Sequence, residues 1–130
     1  MGFKIHSVDD GHVPSIEYLP CSAIAPKVGM ALIQTNGNLA IATGTNKPAY
    51  ISMCEKAAAC EAGELIPVIR VDGRTVYETA FSAAATAVKL GGKVTLATDG
   101  LQVTATTEGG IAEVVDMDGT AVGSTVRVRF

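Results

Sequence analysis

Five Asx-Gly pairs punctuate this chain, at Asp10-Gly11, Asn36-Gly37, Asp72-Gly73, Asp99-Gly100 and Asp118-Gly119. Such pairs tolerate the positive φ that tight hairpin turns demand. Four of them lie between short apolar stretches. Ala31-Leu32-Ile33 and Leu39-Ala40-Ile41 flank Asn36-Gly37. Residues 65–71 and 76–81 flank Asp72-Gly73, residues 94–97 and 101–105 flank Asp99-Gly100, and residues 111–117 and 126–130 surround Asp118-Gly119. Strands of this length at this spacing predict a mainly β domain, an antiparallel small barrel or sandwich built of hairpins.

A second pattern recurs three times: an apolar residue, Gly, two variable residues, then another apolar residue. It stands at Val28-Gly29-Met30-Ala31-Leu32, Leu90-Gly91-Gly92-Lys93-Val94 and Val122-Gly123-Ser124-Thr125-Val126. Each reads as a turn that feeds a strand. The first two copies also share a preceding lysine, Lys27 and Lys89, which fits an internal duplication or simply the likeness of one hairpin to another. The alanine-rich run over residues 55–62 has high helix propensity and stops at Gly63, so it predicts a helical turn or two. Residues 81–88 are the other helical candidate. Pro67 removes a ladder donor, which predicts that its strand lies at an edge or contains a bulge.

Residues 1–20 differ from residues 21–130. They carry both histidines, two adjacent aspartates and two prolines, with the isolated apolar residues Val13, Ile16, Tyr18 and Leu19. This composition predicts an extended N-terminal arm before a single β-rich domain, with Val13, Ile16 and Tyr18 as candidate partner-binding residues. A first strand of the domain itself is the alternative.

The apolar content is rich in Ala and Val, and the only aromatics are three Tyr and three Phe. Small side chains bury little area each, so the core is expected to be thin and supplemented by contacts in a homo-oligomer. The net charge of −3 and the scattered basic residues argue against binding nucleic acid through its phosphates. No apolar run approaches a membrane span. The N-terminus lacks a secretory apolar stretch, and His6 stands where a myristoylation start needs Ser or Thr. Three cysteines, Cys21, Cys54 and Cys60, then read as buried reduced thiols of a cytosolic protein.

No constellation predicts catalysis or a cofactor. His6, Asp9, Asp10 and His12 are close in sequence, but two histidines six residues apart share an ion only across a bend. Asp116-Met117-Asp118-Gly119-Thr120 lacks the closing Glu of a calcium loop. No Ser sits in a nucleophile elbow, and no Gly-rich run carries the Lys-Ser/Thr of a phosphate cradle. Tyr50, Tyr77 and Phe81 are candidates for an aromatic platform, with core packing as the alternative. An enzyme completed at a subunit interface and a small barrel that binds carbohydrate or peptide are the competing readings of function.

The segments Pro26-Lys27-Val28-Gly29-Met30-Ala31-Leu32, Gly37-Asn38-Leu39-Ala40-Ile41-Ala42-Thr43-Gly44-Thr45 and Pro48-Ala49-Tyr50-Ile51-Ser52-Met53 resemble the small head decoration, or capsid cement, proteins of tailed phages and prophages. The likeness continues in style through residues 63–71 and 119–130. It implies a β-rich body, frequent trimers, an arm that orders on the capsid shell protein, and no catalytic residues. The implied location is the bacterial cytoplasm during assembly, then the virion. The alanine-rich middle and the three cysteines depart from that pattern.

Overall fold

The computed structural model describes residues 2–11 and 13–130. Among these, ten strands form: β1 (Lys4–Val8), β2 (Ile16–Cys21), β3 (Ala31–Thr35), β4 (Asn38–Ile41), β5 (Tyr50–Ser52), β6 (Glu64–Arg70), β7 (Thr75–Ala80), β8 (Lys93–Val94), β9 (Ala112–Met117) and β10 (Thr125–Arg129). Strands β2-β4-β3-β5-β6 close into a barrel, and β1-β7-β10-β9-β8 make a second, open sheet. The chain is mainly β, as its turns predict. Every strand pairing is antiparallel except the single parallel contact of Cys21 with Leu39.

Strand β3 explains how the two layers hold together. Leu32 lies in the barrel interior with Cys21, Leu39, Tyr50, Ile66 and Val68. Its neighbours Ala31 and Ile33 belong instead to a core shared with Tyr77, Val114, Val126 and Val128 of the open sheet. Side chains alternate across a strand, so the first half of β3 serves both cores and reads as an apolar run from Ala31 to Ile33. Small side chains suit this arrangement because Ala31, Ala42 and Ala112, all fully buried, let the layers approach closely.

The turn chemistry is realised in three different ways. Asn36 and Gly37 have φ of 51° and 80°, the paired positive values of a two-residue hairpin turn between β3 and β4. Asp118-Gly119 opens the loop between β9 and β10, and Asp99-Gly100 closes a small antiparallel loop in which Ala97 N–H donates to Gln102 at 2.9 Å. Asp72-Gly73 departs from the expectation. It carries the chain from β6 in the barrel to β7 in the sheet, and the two strands do not pair with each other. Turn residues set a local bend, whereas β6 finds its partners in β2 and β5.

The apolar-Gly pattern is borne out as a turn that feeds a strand, in all three copies. Met30 N–H donates to Lys27, Gly92 to Lys89 and Ser124 to Ala121, each within 3.1 Å. The third turn residue is Gly29, Gly91 or Gly123, with φ of 83°, 84° and 85°. Each of these glycines also donates to a neighbouring strand or bridge residue, at Ser52, Val114 and Phe81, which donates back to the next residue of the turn. This is a type II turn merged with a glycine bulge. The third copy lacks the lysine, so turn chemistry accounts for the repeat.

Four further expectations are corrected. Residues 55–62 are not helical: Lys56 N–H donates to Pro26 at 2.9 Å and Cys60 N–H to Ile24 at 2.7 Å, so their donors go to a neighbouring segment rather than up a helix. Residues 81–88 behave likewise, with Ser82 donating to Val103 and Ala85 to Thr120. Tertiary partners override propensity in runs this short. The one helical piece among the described residues is a 3-10 turn at Asp9–Gly11.

Pro67 lies neither at an edge nor in a bulge. Strand β6 runs between β2 and β5 in continuous register. The carbonyl of Pro67 accepts from Met53, just past the end of three-residue β5, so its missing donor faces the point where that ladder stops.

The described part of residues 1–20 is built into the body rather than appended to it as an arm. Strand β1 pairs with β7, β2 pairs with β6 along its whole length, and Phe3 is a core residue. Each strand finds a ladder partner within the same chain, which pairs the backbone groups on one of its sides.

Candidate interaction surface

The pairing of β2 with β6 decides which side chains face outward. Ile16 stands opposite Ile69, Tyr18 opposite Pro67 and Pro20 opposite Leu65, and directly opposed residues share a face. The intervening set, with Leu19 opposite Ile66, points into the barrel. The outer row at Ile16 continues through Ile69 and Ile51 to Ala31. At the Ala31 end this row is covered by the open sheet. At the β2 end no described residue covers it. Tyr18 is 65 % exposed, Leu65 61 % and Ile16 59 %.

The apolar surface extends past Pro67. Met53 donates to the Pro67 carbonyl and is exposed, as are Val28 and Ile5 nearby. A shallow cleft of about 170 Å³ joins them, lined by Phe3, Ile5, Val28, Ile51, Met53 and Ile69. Val13, in the loop before β2, is also exposed. The three sequence candidates Val13, Ile16 and Tyr18 thus all present apolar side chains to solvent. Leu65, Pro67 and Met53, which join them, went unrecognised in the sequence. Every residue from Leu65 to Ile69 is apolar, so alternation along the strand could not mark one side as open.

The outer face of the open sheet has the opposite character. Arg127 bonds Glu78 at 3.0 Å, Asp116 at 2.6 Å and Asp118 at 3.0 Å across three strands and the following turn. Asp118 and then Asp116 and Glu78 hold the guanidinium above its ordinary pKa, against a partial desolvation. The two aspartates considered as calcium ligands are therefore committed to an arginine.

The other candidate constellations are not assembled. His6 lies 3.6 Å from Glu78, and Asp9 lies 3.6 Å from Arg129, so the two point at different partners. His12 lies outside the described residues. Among the described residues no three His, Cys, Asp or Glu side chains converge on a metal position. Tyr50, Tyr77 and Phe81 are all buried and form no exposed platform; Tyr18 is the most exposed ring. A cleft of about 350 Å³ near the C-terminus gathers Lys47, Lys93 and Arg129 around Glu113 and Phe130. No helix among the described residues is long and apolar enough to cross a membrane.

No protein-family model matches this sequence, and no curated protein matches it.

Proposed function

We propose that this chain is a non-enzymatic capsid-decorating protein of a tailed phage or prophage, binding and stabilising the shell from outside as a homo-oligomer, with a trimer favoured. The observation that carries the reading is the continuous apolar stripe of Ile16, Tyr18, Pro67 and Leu65 beside the cleft at Met53 and Val28. A contiguous patch of this kind marks an interaction surface more often than scattered single residues do. The resemblance of residues 26–53 to head decoration proteins supplies the partner, a capsid shell protein. A shell repeats one contact many times, so modest affinity per copy suffices. Assembly in the bacterial cytoplasm and residence on the virion follow from that partner.

The test is co-sedimentation with expanded empty shells. Removing residues 1–20 would delete β1 and β2 and unfold the body, so point variants are needed. Wild type is expected in the pellet, and Ile16→Asp with Tyr18→Asp in the supernatant. Wild type that never pellets, or a double variant that pellets equally, would overturn the reading. Light scattering checks the trimer, and a strict monomer at high concentration rejects it.

A further inference from the structure

Cys21 is far in sequence from Cys54 and Cys60, yet the three cysteines converge on the barrel interior. Cys21 ends β2 and is fully buried, and Cys60 lies in the segment between β5 and β6 at 5 % exposure. Both belong to the apolar cluster inside the barrel, against which half-buried Cys54 packs. Backbone pairing brings the segments together. Ala23 N–H donates to the Cys60 carbonyl at 3.2 Å, Cys60 N–H donates to Ile24 at 2.7 Å, and Lys56 N–H donates to Pro26 at 2.9 Å. Residues 23–26 and 56–60 are therefore laced side by side, with Cys21 and Cys60 on the same interior. Burial, and next the Cys60 thiol beside it, push the Cys21 thiol up to about 12. All three cysteines are free thiols.

We propose that Cys21 and Cys60 are a latent disulfide, which closes when the protein meets a small disulfide oxidant such as oxidised glutathione. One cysteine attacks the oxidant as thiolate and releases one glutathione thiol. The second cysteine attacks that mixed disulfide; the Cys21–Cys60 bond forms and the other glutathione thiol leaves. The protein loses two electrons and two protons, and the oxidant takes up both. Cys54 stays a thiol. The new bond ties the end of β2 to the segment before β6 and latches that part of the barrel. Thiols this strongly buried are poor nucleophiles, so closure waits on local opening of residues 53–63 and is slow at neutral pH. A reducing compartment keeps the latch open and an oxidising one closes it. The inference stands independently of the shell-binding reading.

The test is incubation of the full-length protein with oxidised glutathione, followed by intact mass and peptide mapping. The expected result is loss of two hydrogens, one cross-linked peptide joining Cys21 to Cys60, and Cys54 still open to alkylation. Oxidation should be faster at alkaline pH. The closed loop should raise the Tm by roughly 10 °C, reversed by dithiothreitol. Cys54→Ser should close like wild type, and Cys60→Ala should not. A protein that stays fully reduced after prolonged exposure, a bond that uses Cys54, or glutathione retained at Cys60 would each overturn the proposal. Mapping of the wild type decides the matter even if a variant fails to fold.

Discussion

The backbone N–H of Phe3 donates to the carbonyl of Gly29 at 2.8 Å, and the two segments cross with no room for a side chain between them. A Cβ on Gly29 would stand 2.7 Å from the nitrogen of Phe3 and 2.9 Å from the Cα of Gly2, and the φ of 83° adds strain. Gly29→Ala is therefore expected to destabilise the protein by about 2 kcal/mol or more. Urea unfolding measures it, and a change under about 0.5 kcal/mol would contradict the crossing.

Tyr77 buries its hydroxyl with no hydrogen-bond partner, and burial pushes its pKa up to about 12. The Thr75 hydroxyl opposes that shift without reaching hydrogen-bond geometry, and is itself unpartnered. Removing an unpaired buried hydroxyl relieves a desolvation penalty. Tyr77→Phe should leave stability unchanged or raise it by up to about 1 kcal/mol, read from the midpoint of chemical denaturation.

The pairing of Lys56 with Glu64 makes stability depend on pH at both extremes. Lys56, and next the Glu61 N–H at 3.0 Å, hold the Glu64 carboxyl below its ordinary 4.5. The unfolded chain then takes up this proton first, so the contribution is complete above 4.5 and fades as pH falls through the lowered folded value. Glu64 likewise holds Lys56 above 10.5, so that contribution is complete below 10.5 and fades as pH rises through the raised value. Thermal melts across pH should show the gap between wild type and Glu64→Gln widest at neutral pH and narrowing in acid. A gap that is constant down to strong acid would remove the pair as the cause.

Ala23 adopts φ of 64°, where a Cβ is crowded by its own backbone. That conformation presents its N–H to Cys60. Ala23→Gly should stabilise the native state by about 0.5 kcal/mol, the relief of strain exceeding the added freedom of the unfolded chain. A matched pair of urea curves tests this, and a destabilised variant would count against the strain.

Ile16 and Tyr18 are more than half exposed, so Ile16→Asp with Tyr18→Asp should change folding stability by no more than about 1 kcal/mol. The same variant is expected to lose shell binding. A collapse of its melting temperature would instead place these side chains in structural work.

Much of the β character was legible because turns are local. Asn36-Gly37 and the three apolar-Gly turns act through φ preferences that a few residues carry by themselves. The alternation that should separate an outer from an inner face was illegible over residues 65–69, because both faces are apolar and only one side of the barrel is covered. The exposed apolar stripe was half legible for the same reason: Val13, Ile16 and Tyr18 stood out in polar surroundings, while Leu65 and Pro67 looked like core. Residues 55–62 misled because their backbone donors are claimed by residues 24 and 26, a partner no window of sequence contains.

By itself, then, the sequence determined where this chain bends and that it pairs as strands between the bends. Tertiary structure alone decided that Asp72-Gly73 passes between layers, that β1 and β2 join the two sheets, and that Cys21 meets Cys60. Bending is governed by the φ of one or two residues. Pairing is a competition among distant segments for the same backbone groups, and its outcome exists only once the whole chain has closed.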